Sequence, residues 1–208
     1  MHRACRSLTA YRNARDFSKT PEPAGQVRRS NRSRLFVVQK HDASRLHYDF
    51  RLAANGVLAS WAVPKGPSMN PADKRLAVRT EDHPLEYAKF EGIIPAGQYG
   101  AGTVMIWDLG KYQPVEDRPP EEQLARGKIQ IVLRGEKLRG GFTLVRTERR
   151  SGNPSRRDNW LLIKSRDEHA DPSWSIESRR FDRSVLTCRS LREIKDAKPT
   201  RLRFGRCH

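Results

Sequence analysis

No apolar run in the 208 residues approaches the length needed to span a bilayer, and the opening stretch, MHRACRSLTAYRNARDF, lacks the apolar centre of a secretory signal. These absences predict a soluble, cytoplasmic protein with no membrane partner. Cysteine is sparse. Cys5, Cys188 and Cys207 are odd in number and show no CxxC spacing, so neither a disulfide framework nor a structural zinc knot is expected, only three free thiols. Apolar residues make up 36% of the chain and mean hydropathy is −0.80, low for a chain packed throughout, so part of it is expected to be poorly ordered.

What the flanks lack is acid. Residues 1–34 carry nine Lys/Arg against two acids, residues 35–133 carry twelve of each, and residues 134–208 carry twenty against ten. A basic excess implies a polyanionic partner. The basic segments lack the Trp/Phe/Leu faces of interfacial helices, which favours nucleic acid over a membrane surface. Charge alone does not separate a nucleic-acid binder, associated with the nucleoid, from a merely Arg-rich soluble chain.

Apolar runs and alternation predict strands at 35–39, 45–52, 58–63, 75–80, 102–109, 128–133, 141–146 and 160–164. Asn55-Gly56 predicts a tight hairpin turn, because both residues tolerate positive φ. Short helices are expected at 8–14 and 121–126, with a turn or two at 190–196. Eight short strands punctuated by Gly, Pro and Asn predict a mainly β fold, a small antiparallel barrel with a few short helices. The expected division is a basic N-terminal segment at 1–34, a barrel at 35–165, and a partly disordered basic tail at 166–208, its last part removable without harm to the barrel.

The stretch RLHYDFRL at 45–52 carries the chemistry. Strand side chains alternate between faces, so Leu46, Tyr48, Phe50 and Leu52 are expected in the core, with Arg45, His47, Asp49 and Arg51 opposite. His47 and Asp49 lie roughly 7 Å apart along such a strand, and His41 stands just before it as a third ligand. A His/His/Asp set suits a catalytic metal, and Arg51 suits a phosphate oxygen. His83, before Pro84, is expected at the mouth of the barrel. Two assignments remain open on the residues alone. In one, His41, His47 and Asp49 hold the metal while His83, Arg51, Lys65 and Arg75 handle a phosphate. In the other, His47, Asp49 and His83 form the facial triad of a non-haem Fe(II) oxygenase. The second leaves His41 unused, and the cationic residues suit phosphate better. The Gly-rich segment 90–104 matches neither a Walker A loop nor a dinucleotide fingerprint and reads as a shaped loop beside the site.

In order along the chain, HDASRLHYDFRL, SWAVPKGPS, EDHPLEY, FEGIIPAGQYGAGTVMIWD and GEKLRGGFTLVR closely resemble the 3′-phosphoesterase domain of bacterial DNA ligase D, and RDFSKTPEP at 15–23 resembles its N-terminal segment. The resemblance runs from about Tyr11 to Lys164. It implies a β-barrel with a crescent-shaped groove and a bound Mn²⁺, or another divalent transition metal in its place. It implies removal of a 3′-terminal ribonucleoside and then of the 3′-phosphate, at DNA or DNA/RNA primer-template ends, in non-homologous end joining. His41, His47 and Asp49 are then the metal ligands, His83 lies across the scissile phosphate, and Arg51, Lys65 and Arg75 contact it. Gln39 and Tyr87 support the site, and Arg15, Asp16 and Glu22 serve mainly the diesterase step. SVLTCRSLREI at 184–194 resembles the connector to a ligase domain, with Cys188 where glycine is implied. No polymerase or ligase domain accompanies these motifs, so the resemblance implies a stand-alone or split relative, with separate ligase, polymerase or end-binding proteins as partners. The competing class is a barrel that binds nucleic acid without catalysis.

Overall fold

A computed structural model describes residues 8–26, 34–147 and 158–196. Among these residues nine strands form: β1 (Leu35–Asp42), β2 (Leu46–Ala54), β3 (Val57–Val63), β4 (Lys74–Arg79), β5 (Gly92–Ile94), β6 (Gly102–Pro114), β7 (Lys128–Gly135), β8 (Arg139–Arg146) and β9 (Asn159–Lys164). Helices are short: α1 (Thr9–Asn13), α2 (Pro120–Ala125) and α3 (Leu191–Lys195), with 3-10 turns at Leu85–Lys89 and Arg179–Phe181. The antiparallel order β1-β2-β3-β4-β9-β8-β7-β6 closes on itself through β6 and β1, giving an eight-stranded barrel. The predicted hairpin is present, with φ of 50° at Asn55 and 81° at Gly56.

The interior follows the alternation of the strands. Phe36, Val38, Phe50, Leu52, Trp61, Trp107, Phe142 and Trp160 meet in one apolar cluster, and truncating such a buried aromatic costs about 3–5 kcal/mol. Asp108 lies at the corner where β6 passes from β1 to β7, and its carboxylate accepts the backbone N–H groups of Leu109, Glu136, Lys137 and Leu138. That satisfies donors which would otherwise be stranded in the β7–β8 turn.

Several expectations need correction. Leu46, expected in the core, is 47% exposed, because it opens β2 beyond the barrel wall. The face of β2 opposite the core is not open to solvent. A second apolar cluster of Tyr11, Val37, Ala53, Leu58, Leu85, Tyr87, Ala88 and Ile106 covers the outer wall, brought there by the N-terminal segment and the 3-10 turn at 85–89. His83 sits on that outer wall and not at the barrel mouth, exchanging backbone hydrogen bonds of 2.8 and 3.0 Å with Leu58. The Gly-rich loop holds the extra strand β5, paired to β6.

The expected tail from residue 166 is docked as far as residue 196. Trp174, Ile176, Phe181 and Leu191 pack on the barrel core, Ile194 is buried within it, and Val185 N–H donates to the Ile106 carbonyl. The rest of the expected tail, 197–208, lies outside the described residues. Cys188, expected as a free thiol, is disulfide-bonded. Its φ of 58° falls in the left-handed region, which accounts for the glycine implied at that position. Among the described residues no helix is long and apolar enough to cross a membrane.

Candidate metal centre and phosphate site

The centre is built on one hairpin. β1 and β2 are joined by residues 43–45, and their register sets His41 opposite His47, Gln39 opposite Asp49 and Val37 opposite Arg51. Opposed side chains on one face of an antiparallel pair have Cβ atoms about 5 Å apart. The outer face therefore carries the functional groups as successive rungs, and the two imidazole rings lie 4.8 Å apart.

Backbone carbonyls settle which ring nitrogens are available. His41 Nε2 lies 2.9 Å from the Gly100 carbonyl, and His47 Nδ1 lies 2.9 Å from the Arg45 carbonyl. A carbonyl only accepts, so those nitrogens carry the protons, leaving lone pairs on His41 Nδ1 and His47 Nε2. These two nitrogens are 3.6 and 3.7 Å from the Asp49 carboxylate oxygens, and the donor atoms of all three residues fall within 4.8 Å of one another. Burial pushes the Asp49 carboxyl up, but the charge of the Arg51 guanidinium counters it, and the group is held well below the usual carboxylate range. Two neutral imidazoles with fixed tautomers and one carboxylate fit a first-row divalent cation.

Arg51 is buried behind this set. Its Nη2 donates to Asp49 Oδ2 at 3.0 Å and its Nε to Gln39 Oε1 at 2.8 Å, and its guanidinium lies 4.9 Å from the Tyr87 ring centre. Gln39 Nε2 donates to the carbonyls of Phe90 and Tyr87, which fixes the amide so that its oxygen faces Arg51. Arg51 Nη1 has no hydrogen-bond partner although it is buried. A buried, unpaired guanidinium nitrogen is costly, and an anionic oxygen would relieve it.

His83 is 3% exposed. Its Nδ1 donates to the Glu81 carbonyl at 2.9 Å, and its Nε2 accepts from Arg15 Nη2 at 3.3 Å. Burial first, then the charges of Arg51 and Arg15, hold its pKa well below the ordinary imidazole value, so the ring is neutral. Tyr11 and Tyr87 pack on it, with centroids 4.9 and 4.7 Å away. Arg15 is itself clamped, with Nε on Glu22 Oε1 at 2.9 Å and Nη1 on Glu81 Oε1 at 3.2 Å. The N-terminal segment thus contributes Arg15 and Glu22 to the site.

Among the expected site residues, the structure gathers His41, His47, Asp49, Arg51, Gln39, His83, Tyr87, Arg15 and Glu22. Among the described residues, three others make no hydrogen bond or ion pair with this group. Asp16 is exposed and engages Ser18 and Lys19. Arg75 bonds Asp73 at 2.8 Å, on the strand face it shares with the core residue Ala77. Lys65 is exposed on the turn after β3. The oxygenase triad is not formed, because His83 Nε2 is turned to Arg15 and lies outside the three-residue donor group. Sequence reasoning missed Tyr11, Glu81, Tyr99 and the Gly100 carbonyl. Tyr99 faces Glu81, whose charge pushes the phenol pKa up ahead of burial. Glu81 opens the EDHPLEY motif, and Gly100 lies in the Gly-rich loop, so both were within reach of a reading that weighed neighbours.

Residues 39–146 match the family described as the DNA Ligase D 3′-phosphoesterase domain. The chain is 52% identical over 188 residues to the multifunctional non-homologous end joining protein LigD of Pseudomonas aeruginosa, a match covering 88% of this chain and 22% of that protein. It is 45% identical over 166 residues to the protein of the same name from Mycolicibacterium smegmatis, covering 77% of this chain and 21% of the relative. With the multifunctional non-homologous end joining DNA repair protein LigD of Mycobacterium tuberculosis it shares 44% identity over 164 residues, 77% of this chain and 20% of the relative. The chain thus spans about a fifth of the length of these relatives.

Proposed function

Since this chain belongs to the DNA ligase D 3′-phosphoesterase family, we propose that it is a metal-dependent hydrolase of nucleic acid 3′ ends. It removes a 3′-terminal ribonucleoside and a 3′-phosphate to leave a 3′-hydroxyl for end joining. The observation that carries this reading is the convergence of His41 Nδ1, His47 Nε2 and an Asp49 oxygen within 4.8 Å, beside a buried guanidinium with one unused nitrogen.

His41, His47 and Asp49 would hold Mn²⁺ or a similar divalent cation, which when bound supplies Lewis acidity to a phosphate oxygen. Arg51 sets a fixed positive charge behind the phosphate, and its unused Nη1 is the donor available to a non-bridging oxygen. Gln39 holds Arg51 in that pose. His83 has its Nδ1 proton committed to Glu81, so any proton it takes or gives moves at Nε2. Arg15 occupies Nε2 and must yield it to substrate. The Glu22 and Glu81 carboxylates keep Arg15 close enough to neutralise a terminal nucleotide afterwards, which supports a larger role for the N-terminal segment in the diesterase step. DNA or DNA/RNA primer ends are the proposed substrates, and separate ligase, polymerase or end-binding proteins are the proposed partners.

The experiment is release of phosphate from a 3′-phosphate-terminated primer, with Mn²⁺ and with EDTA. Metal-dependent release is expected. No release with any divalent metal would leave a barrel that only binds nucleic acid.

A further inference from the structure

A second concavity among the described residues takes no part in the chemistry above. Its volume is about 320 Å³, and its lining includes Met69, Lys137, Arg139, Trp174, Arg180 and Phe181. Met69 follows β3, Lys137 lies between β7 and β8, and the last three follow β9. In an antiparallel ring all these connections leave the barrel at one end, the end where β1 turns into β2. The metal-binding hairpin opens on the same end. An ion pair of 2.6 Å ties Lys40, which precedes His41, to Asp182, which follows Phe181.

The lining combines aromatic faces with cations. Trp174 and Phe181 lie 5.2 Å apart at 37°, and neither is fully buried. Arg180 covers the Phe181 ring at 4.4 Å, and Arg139, also in the lining, is exposed. Lys137 fixes the wall from below, with its ammonium on the carbonyls of Phe181 and Arg183 and over Trp107. Two carboxylates also line the pocket. Asp171 is committed to the Ser173 N–H and hydroxyl, and Glu136 stands beside Lys137. Aromatic faces flanked by arginines take a nucleobase by stacking and its phosphodiester by charge, without demanding a sequence. The volume is at the small end of ligand pockets, enough for one nucleotide and not for a base pair.

We propose that this pocket is a subsite for one unpaired nucleotide of the strand whose 3′ end is processed at the metal centre, an inference that rests on the reaction proposed above. It gives the enzyme a grip on single-stranded substrate, away from the reacting phosphate.

The probe is oligothymidylate with a 3′-hydroxyl end, which offers nothing to hydrolyse. Trp61, Trp107 and Trp160 are no more than 1% exposed, so Trp174 is the indole that an added base can reach. Binding is expected to quench tryptophan fluorescence, and Trp174→Phe, which keeps a ring in the wall, is expected to lose the quenching while binding persists by anisotropy. Arg139 and Arg180 are exposed, so Arg139→Glu with Arg180→Glu leaves the fold alone. That pair is expected to weaken Kd about tenfold and to lower the log–log salt slope by about 1.4, at about 0.7 per single-strand phosphate contact. Turnover of a 3′-phosphorylated dinucleotide is expected to stay at the wild-type level. Unchanged Kd and slope, or quenching by duplex but not by single strand, would overturn the subsite. If the wild type quenches as expected yet releases no phosphate with any metal, the subsite stands and the hydrolase reading fails.

Discussion

Arg15 and His83, 68 positions apart, meet with Nη2 3.3 Å from Nε2, which places the N-terminal segment directly on the imidazole nitrogen available for proton transfer. Removing the guanidinium removes a charge that holds the His83 pKa down and uncovers the ring. In Arg15→Ala the His83 imidazole is therefore expected to titrate higher than in the wild type, by NMR. Loss of terminal-ribonucleoside removal is expected to exceed loss of 3′-phosphate removal. Asp16→Ala is expected to do little, since that side chain points to solvent. Equal losses on both substrates would contradict the division of roles.

The same histidine gives stability a pH dependence. The unfolded chain takes up a proton near pH 6.5 that folded His83 refuses. Its folded pKa is depressed, so the stability present above about pH 6.5 is lost as the pH falls through that value toward the folded one. Replacing His83 with Gln is expected to flatten this part of the profile. Urea midpoints between about pH 8 and pH 5 would measure it, and parallel profiles for the two proteins would exclude the effect.

Metal binding and fold separate at the centre. His47 is half-buried at the start of β2, so His47→Ala is expected to stay folded while losing Mn²⁺ affinity by calorimetry and most activity. Asp49→Ala differs, because Arg51 would be left buried without its carboxylate, at a cost of about 3–5 kcal/mol. The three ligand substitutions are therefore expected to differ in their cost to folding, because only Asp49 pairs with the buried Arg51 guanidinium. A melting temperature for Asp49→Ala equal to that of His47→Ala would refute this distinction.

Deleting residues 184–208 is expected to damage more than affinity. Ser184 and Ile194 are buried, and Arg189 pairs with Glu91, whose other oxygen accepts the Ile106 N–H. Glu91 follows Phe90, the residue that anchors Gln39. Loss of Ile194 burial alone is worth at least about 2 kcal/mol. Thermal melts and turnover should both fall, and full activity at an unchanged melting temperature would show the segment to be dispensable.

The strands were legible because alternation of Tyr48, Phe50 and Leu52 with polar neighbours survives in one dimension. The covering of their polar face was not, since it comes from Tyr11 and from Leu85–Ala88, remote in sequence from β2. The metal ligands were legible for the opposite reason: all three belong to one local hairpin. The helical turn at 190–196 was legible, but the docking of residues 166–196 was not, because they pack through isolated anchors such as Trp174, Phe181 and Ile194, which leave no period to read.

That hairpin also sets which insertions and deletions the gene can tolerate. His41 and His47 remain cross-strand partners only while three residues separate β1 from β2 in their present register. A one-residue slip turns every side chain of a strand to the other face. It would carry His47 and Asp49 into the barrel interior and Tyr48 and Phe50 out of it. Length variation in the β2–β3 turn or the 115–127 connection leaves the ligand geometry alone, because those segments join the opposite end of the barrel. Indel scanning should therefore find residues 43–45 intolerant in a stretch that, judged by exposure alone, looks like an ordinary surface turn.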